Sequence, residues 1–139
     1  MALADLAGGV RLVQAFPPAT ITAGGGETLS TAIDTTGYYE GLLVLDLGTT
    51  AASANGVFAL HTATTTGGSY SAITAATFTT ITDSDDDKMV VGRVLCNDQN
   101  KFWKIAHTVT GGNLTCGLSV LLLPYDSGNS NNTAMDFTT

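Results

Sequence analysis

Short apolar segments separated by turn residues run through most of this chain, and none of them keeps a helical period. In residues 41–47 alternate side chains point to opposite sides and both sets are apolar, with Leu43, Leu45 and Leu47 on one side and Leu42 and Val44 on the other. A strand that is apolar on both faces is typical of a sheet interior. The pattern therefore predicts a central strand here, with Asp46 reaching water near its end.

The same alternation recurs along the chain and predicts about eight short strands in all, with turn signals at the roughly 8–12-residue spacing typical of sandwiches and jelly rolls. Pro17 and Pro18 are expected to end the first of them, because proline donates no hydrogen bond to a ladder. The last two, joined by residues 111–113 (Gly-Gly-Asn), are predicted to pair as a hairpin. The predicted strands are residues 10–15, 19–23, 27–33, 56–62, 69–73, 89–95, 101–110 and 114–123, with 77–81 as a weak edge strand.

At 139 residues the chain has the length of one domain. We expect a single all-β domain, an antiparallel β-sandwich or jelly roll, at residues 10–125, with extended arms at 1–9 and 126–139. Both arms carry apolar residues in polar surroundings, and we interpret these as candidate interface anchors that become ordered on a neighbouring subunit. Ordinary fraying of chain ends is the equally weighted alternative. The candidate anchors are Leu3, Leu6, Met135 and Phe137.

Charge is scarce, because charged residues are 12% of the chain against the roughly 25% usual in globular proteins. Hydroxyl and amide residues take their place, and a partner can cover such a surface without burying ions. The net charge is −7, and the five basic residues are too scattered to follow a phosphate backbone or an anionic membrane. We therefore expect no nucleic-acid or membrane partner. Neither a transmembrane span nor a secretory signal is evident, and two cysteines make no disulfide framework, which indicates a reducing cytoplasm.

No catalytic constellation stands out in the sequence, so we expect no enzyme and no cofactor. His61 and His107 are interpreted as buried or half-buried strand residues that hydrogen-bond to the backbone. A zinc site that combines them with Cys96 and Cys116 has the wrong spacing. The two cysteines either close a disulfide across nineteen residues or, more simply, are two small core thiols.

Residues 83–87 (Asp-Ser-Asp-Asp-Asp) look like a calcium loop at first sight. They fail the EF-hand pattern, because Lys88 stands where glycine is needed and Val94 where the bidentate glutamate is needed. A looser cation site stays open as an alternative. The simpler interpretation is a solvated loop whose charge discourages edge-to-edge sheet pairing, and we expect no metal.

Two stretches resemble a known class of proteins. The first is residues 37–48 (GYYEGLLVLDLG), followed by residues 67–73 (GGSYSAI); the second is residues 101–110 with the strand at 114–123. In order and character they resemble the small β-rich structural proteins of tailed bacteriophages, over roughly residues 37 to 123. The chain departs from that pattern in two places: residues 68–70 (Gly-Ser-Tyr) lack a preceding aspartate, and residues 103–105 (Trp-Lys-Ile) are less basic than usual.

The resemblance implies a virion protein of the capsid decoration (cement) type, which binds and stabilises the shell of the major capsid protein. It further implies a homotrimer on the capsid exterior, assembled in the host cytoplasm. The alternative is a carbohydrate-binding β-module of a phage tail or fibre. Its sugar site would be built from Tyr38, Tyr39 and Glu40, because sugar sites combine exposed aromatic rings with carboxylates.

Overall fold

Two antiparallel sheets make up the structure, a computed structural model that describes residues 9–97 and 99–124 and the backbone of residues 3–6. These residues form eleven strands and no helix, which confirms the all-β prediction; nothing among them is a helix able to cross a bilayer. The strands are β1 (Leu3–Leu6), β2 (Val10–Ile21), β3 (Thr28–Leu29), β4 (Ile33–Asp34), β5 (Tyr38–Thr50), β6 (Asn55–Ala63), β7 (Ser71–Thr77), β8 (Ile81–Thr82), β9 (Met89–Leu95), β10 (Phe102–Thr110) and β11 (Leu114–Pro124).

The described strands divide into two sheets. Sheet A has the order β1-β2-β11-β5-β9. In sheet B, β10 lies between β6 and the short strands β3 and β4, and β6 pairs on its other side with β7 and β8. This arrangement confirms the predicted sandwich. It does not establish a jelly roll.

The core fills the space between the sheets with the side chains that alternation assigns to the inner faces. Trp103 is 1% exposed, and its indole N–H donates to the carbonyl of Asn100 at 3.2 Å. Asp46 is exposed near the end of β5, as predicted. The fully buried side chains are Ile33, Leu43, Leu45, Phe58, Leu60, Trp103, Ile105, Val109, Leu114, Leu118, Val120 and Leu122.

The predicted hairpin of the last two strands is wrong. β10 pairs with β6, β3 and β4 in sheet B, whereas β11 pairs with β2 and β5 in sheet A. The connecting turn thus crosses from one sheet to the other. A Cβ on Gly111 would lie 2.0 Å from the carbonyl oxygen of Ser53, and Gly111 has φ 77°, so the turn packs against the β5–β6 loop where only glycine fits.

Two strand boundaries also differ from the prediction. β2 continues through Pro17 and Pro18, since its pairing with β11 shifts register between Leu118 and Cys116, and a bulge leaves positions where no ladder donor is needed. Residues 27–33 do not form one strand: β3 ends at Leu29, and the Ser30 hydroxyl accepts from the amide of Ile105 at 2.9 Å in place of a backbone carbonyl. The pairing resumes at β4.

The bounds of the two strands after β6 also differ from the prediction. β7 spans Ser71–Thr77 where residues 69–73 were predicted, and within the predicted weak strand at 77–81 only Thr77 and Ile81 are in strands. Phe78 lies in the loop between them. A Cβ on Gly92 of β9 would lie 3.2 Å from the Phe78 ring, so this ring fills the gap between the two sheets beneath β9.

Candidate functional site

The outer face of sheet A is largely apolar, although one face of an antiparallel sheet commonly meets water and is then polar. Its most exposed members lie on β9, where Met89 is 63%, Val91 56% and Leu95 56% exposed. Four rows of residues cross this face: Leu123, Glu40 and Leu95; Leu12, Leu121, Leu42 and Arg93; Gln14, Ser119, Val44 and Val91; and Gly117, Asp46 and Met89.

The only cation in these rows is neutralised within the face. Arg93 donates from Nη2 to Glu40 Oε2 at 2.9 Å and from Nε to Glu40 Oε1, a two-point contact between neighbouring strands. The Glu40 side chain is 8% exposed. Since the two charges cancel, a partner can cover this part of the face without burying an uncompensated ion. Asp46 remains as an exposed carboxylate at one end.

The outer face of sheet B is different, because polar groups interrupt it. Lys104 lies over the ring of Tyr70, with its ammonium 4.4 Å from the ring centre. His61, opposite Lys104 across the β6–β10 ladder, has Nε2 3.7 Å from a carboxylate oxygen of Glu27. Sheet B thus has a mixed exterior, in which Leu29 and Val57 are exposed beside these polar groups, whereas the most exposed apolar residues belong to sheet A.

The edge of sheet A at β9 adds backbone groups to this surface. The amide of Leu47 donates to Lys88 O and that of Cys96 to Tyr39 O, both at 2.8 Å, which fixes the hydrogen-bonded positions of the β5–β9 ladder. Since these positions alternate in an antiparallel pair, the backbone groups of Met89, Val91, Arg93 and Leu95 are turned away from β5. The side chains of these same four residues lie on the outer face. The edge and the face are therefore one surface.

The histidines are buried as predicted, each 8% exposed. His107 packs edge-on against Phe16, with ring centres 4.6 Å apart, and burial lowers the pKa of its imidazole. The predicted backbone hydrogen bonds are absent at two nitrogens, His107 Nδ1 and His61 Nε2, which have no hydrogen-bond partner among the described residues.

The cysteines are both free thiols, which decides between the two alternatives. Cys116 lies opposite Leu47 of β5. The backbone amide of Cys96 donates to the carbonyl of Tyr39, which is eight residues from Leu47 along β5. That separation is about 27 Å of extended chain, far beyond a disulfide. Burial raises the pKa of each thiol to about 11.

The acidic loop uses its carboxylates for its own structure. Asp86 Oδ1 accepts from the amide of Thr50 at 2.6 Å and from its hydroxyl; Asp85 accepts from the amide of Thr82 at 2.8 Å and from Lys88 at 3.0 Å. These hydrogen bonds lower the pKa of Asp86 and of Asp85. No group of three or more metal-ligating side chains comes together among the described residues. The loop therefore joins the ends of strands, with its carboxylates aimed at separate donors.

The residues suggested for a sugar site are only partly available. Tyr39 is 39% exposed, but Tyr38 packs against the core and Glu40 is held by Arg93. A sugar hydroxyl would have to displace that guanidinium to reach the Glu40 carboxylate. The three residues are brought together without forming an open cleft with a spare carboxylate.

The predicted anchors fall mostly outside the described part of the chain. Met135 and Phe137 lie outside the described residues, and for Leu3 and Leu6 the backbone alone is described, in β1, paired with Leu12 and Val10 of β2. Sequence reasoning missed Met89, Val91 and Leu95 as surface residues. Their alternation was visible, but only the order of strands shows that β9 is an edge whose outer side nothing else in the described chain covers.

Comparisons with known proteins add no relative to this picture. No protein-family model, no curated protein sequence and no solved structure matches the chain. The resemblance to phage structural proteins therefore stays a prediction that depends on its two motifs.

Proposed function

We propose that this chain is a structural protein of a phage virion, a capsid decoration protein that stabilises the shell by binding the major capsid protein. The observation that carries the proposal is the outer face of sheet A, which has large apolar side chains in every row and whose Glu40–Arg93 pair is already neutralised. The resemblance of residues 37–123 to phage structural proteins supplies the identity of the partner.

Binding across a surface suits this molecule better than binding in a pocket. Two clefts lie at the side of the sandwich, one of about 100 Å³ beside Trp103 and Val94 and one of about 160 Å³ beside Phe78 and Gly92. Sites for small molecules usually measure roughly 300–1,000 Å³. The clefts are therefore small for a substrate, whereas the outer face extends across four strands.

Apolar burial provides the binding energy in this proposal. Complete burial of one large aliphatic side chain contributes roughly 1.5–3 kcal/mol, so the most exposed residues of β9 would act as anchors. Ordering and lost translational freedom offset much of that gain. Repetition over a shell compensates, since neighbouring copies multiply individually weak contacts.

The proposal is tested with emptied capsids of the phage from which the sequence comes. Purified chain is added in increasing amounts, and bound protein is measured after sedimentation. Saturable binding at hundreds of copies per capsid supports decoration. Absence of binding to capsids, together with specific binding on a glycan array or a handful of copies at the tail, would instead indicate the carbohydrate-binding alternative.

A further inference from the structure

We propose that β9 pairs with β9 of a second copy of this chain, antiparallel about a two-fold axis through Gly92. The two five-stranded sheets A would then form one continuous sheet across the pair. A two-fold contact uses the same patch on both copies, so the patch must complement itself. The sequence and geometry of β9 meet that requirement.

The edge at β9 has only one of the features that usually prevent such pairing, the charged Arg93, and Glu40 compensates that charge. Edge strands are commonly protected by lysine, proline or a bulge. β9 (MVVGRVL) has neither lysine nor proline, and its ladder with β5 runs through seven residue pairs without a shift of register. The strand is therefore regular enough to accept a partner along its whole length.

The positions of the outward backbone groups select the register. Met89, Val91, Arg93 and Leu95 face away from β5, so a partner strand must place its own outward residues opposite them. An axis through Gly92 sets Met89 opposite the copy's Leu95 and Val91 opposite its Arg93, and all four residues find partners. An axis through Val91 leaves Leu95 without an outward residue opposite it. An axis through Arg93 sets two arginines face to face, which is unfavourable.

Charge also favours the register centred on Gly92. Each Arg93 lies opposite a valine of the copy and keeps its own Glu40 as counter-ion. The acidic loop that precedes β9 has Asp85 and Asp86 hydrogen-bonded to Thr82 and Thr50, so these two carboxylates are directed into the loop. The contact therefore brings apolar residues together without placing like charges directly opposite each other.

The paired sheets would have one continuous outer face, which doubles the apolar surface available to a capsid. A single seven-residue edge is about 24 Å long, so we expect a contact at the small end of specific interfaces and a dimer that dissociates on dilution. The pairing does not depend on the proposed function, since it is measured on the isolated protein. It predicts a two-fold assembly, whereas the resemblance implies a trimer.

The first test measures the mass of the full chain by sedimentation velocity over a concentration series. The expected result is a rise from 14.2 kDa towards twice that mass. Val91→Lys should remain at 14.2 kDa throughout, whereas the control Val57→Lys, which makes the same change at an exposed position on β6, should dimerise like the native chain. A native mass that stays at 14.2 kDa, or that triples, would overturn the proposal.

A charge exchange at one position tests the register. Val91→Asp places a carboxylate opposite the copy's Arg93, whereas Val91→Lys places a second cation there. We expect dimerisation at least tenfold stronger in Val91→Asp than in Val91→Lys, with a difference that shrinks in high salt. Equal dimerisation of the two variants would exclude the Gly92 axis, since with Val91 opposite itself both changes create like pairs.

Hydrogen exchange on the native chain keeps the test independent of whether the variants fold. The outward amides of Met89, Val91 and Leu95 should be protected at high concentration and should lose that protection on dilution to the monomer. Protection that persists in the monomer would show that another part of the same chain covers the edge. Exchange that is fast at every concentration would show that nothing does. Either result would contradict the two-fold pairing.

Discussion

Gly41 shows how closely one residue is fitted to another in this core. A Cβ at this position would lie 2.5 Å from Cζ3 of Trp103, which is buried and is the only tryptophan of the chain. The tryptophan comes from sheet B and the glycine from sheet A, so their contact spans the sandwich. The absence of a side chain at Gly41 is what allows the indole to reach across.

We therefore expect Gly41→Ala to destabilise the fold by about 1–3 kcal/mol, the usual range for overpacking a core. Gly25→Ala is the matched control, because a Cβ there meets nothing within 4 Å, and its effect should stay within about 0.5 kcal/mol. Chemical denaturation followed by Trp103 fluorescence measures both. Equal stability of the two variants would show that the indole shifts without cost.

His107 gives the fold a dependence on pH. Burial lowers the pKa of its imidazole below the ordinary value of 6.5, so the folded chain resists a proton that the unfolded chain accepts. Its stabilising contribution is therefore present above about pH 6.5 and decreases as the pH falls towards the lowered pKa, by up to about 1.4 kcal/mol per pH unit. In His107→Gln this slope should become shallower between pH 7 and 5. Parallel stability curves for the two proteins would contradict this assignment.

At the scale of strands, the sequence predicts which face of the sheet a side chain occupies better than it predicts which strands pair. Alternation at residues 101–110 correctly separates the inward Trp103, Ile105 and Val109 from the outward Lys104, because inside and outside depend on local period. Pairing depends on distant residues. The three-residue turn after β10 suits a hairpin, but Gly111 and Gly112 pack against residues 51–54, a contact that no local pattern reveals.

The acidic loop illustrates the same limit, because one of its carboxylates binds a strand end far away in sequence. Asp86 accepts hydrogen bonds from Thr50 at the end of β5. We expect Asp86→Ala to make the Thr50 amide exchange several-fold faster, since its acceptor is lost. Asp46→Ala removes a carboxylate from β5, the strand that carries Thr50, and should leave that amide unchanged. Unaltered exchange in Asp86→Ala would mean that Thr50 has another acceptor.

At the scale of the molecule, the candidate surface is a property of sheet order. Leu42 and Val44 were predicted to lie opposite the core-facing side of a central strand, and the structure places them there, but covering by a second layer and exposure on an outer face give the same sequence pattern. The structure distinguishes the two, because Met89, Val91 and Leu95 on the same face are more than half exposed. The described chain supplies no layer over this face, which is why we assign it to a partner.

Val44 and Val57 provide a matched test of that assignment. Each is a valine on the outer side of an interior strand, β5 in sheet A and β6 in sheet B. If the capsid covers the outer face of sheet A, a carboxylate at residue 44 must be buried without a counter-ion, because Arg93 is already held by Glu40. Val44→Glu should therefore weaken binding to emptied capsids at least about tenfold. Val57→Glu is the control and should bind like the native chain. Circular dichroism should show that both variants are folded. The opposite ranking would place the docking surface on sheet B, where Lys104 and His61 offer a polar partner a different chemistry.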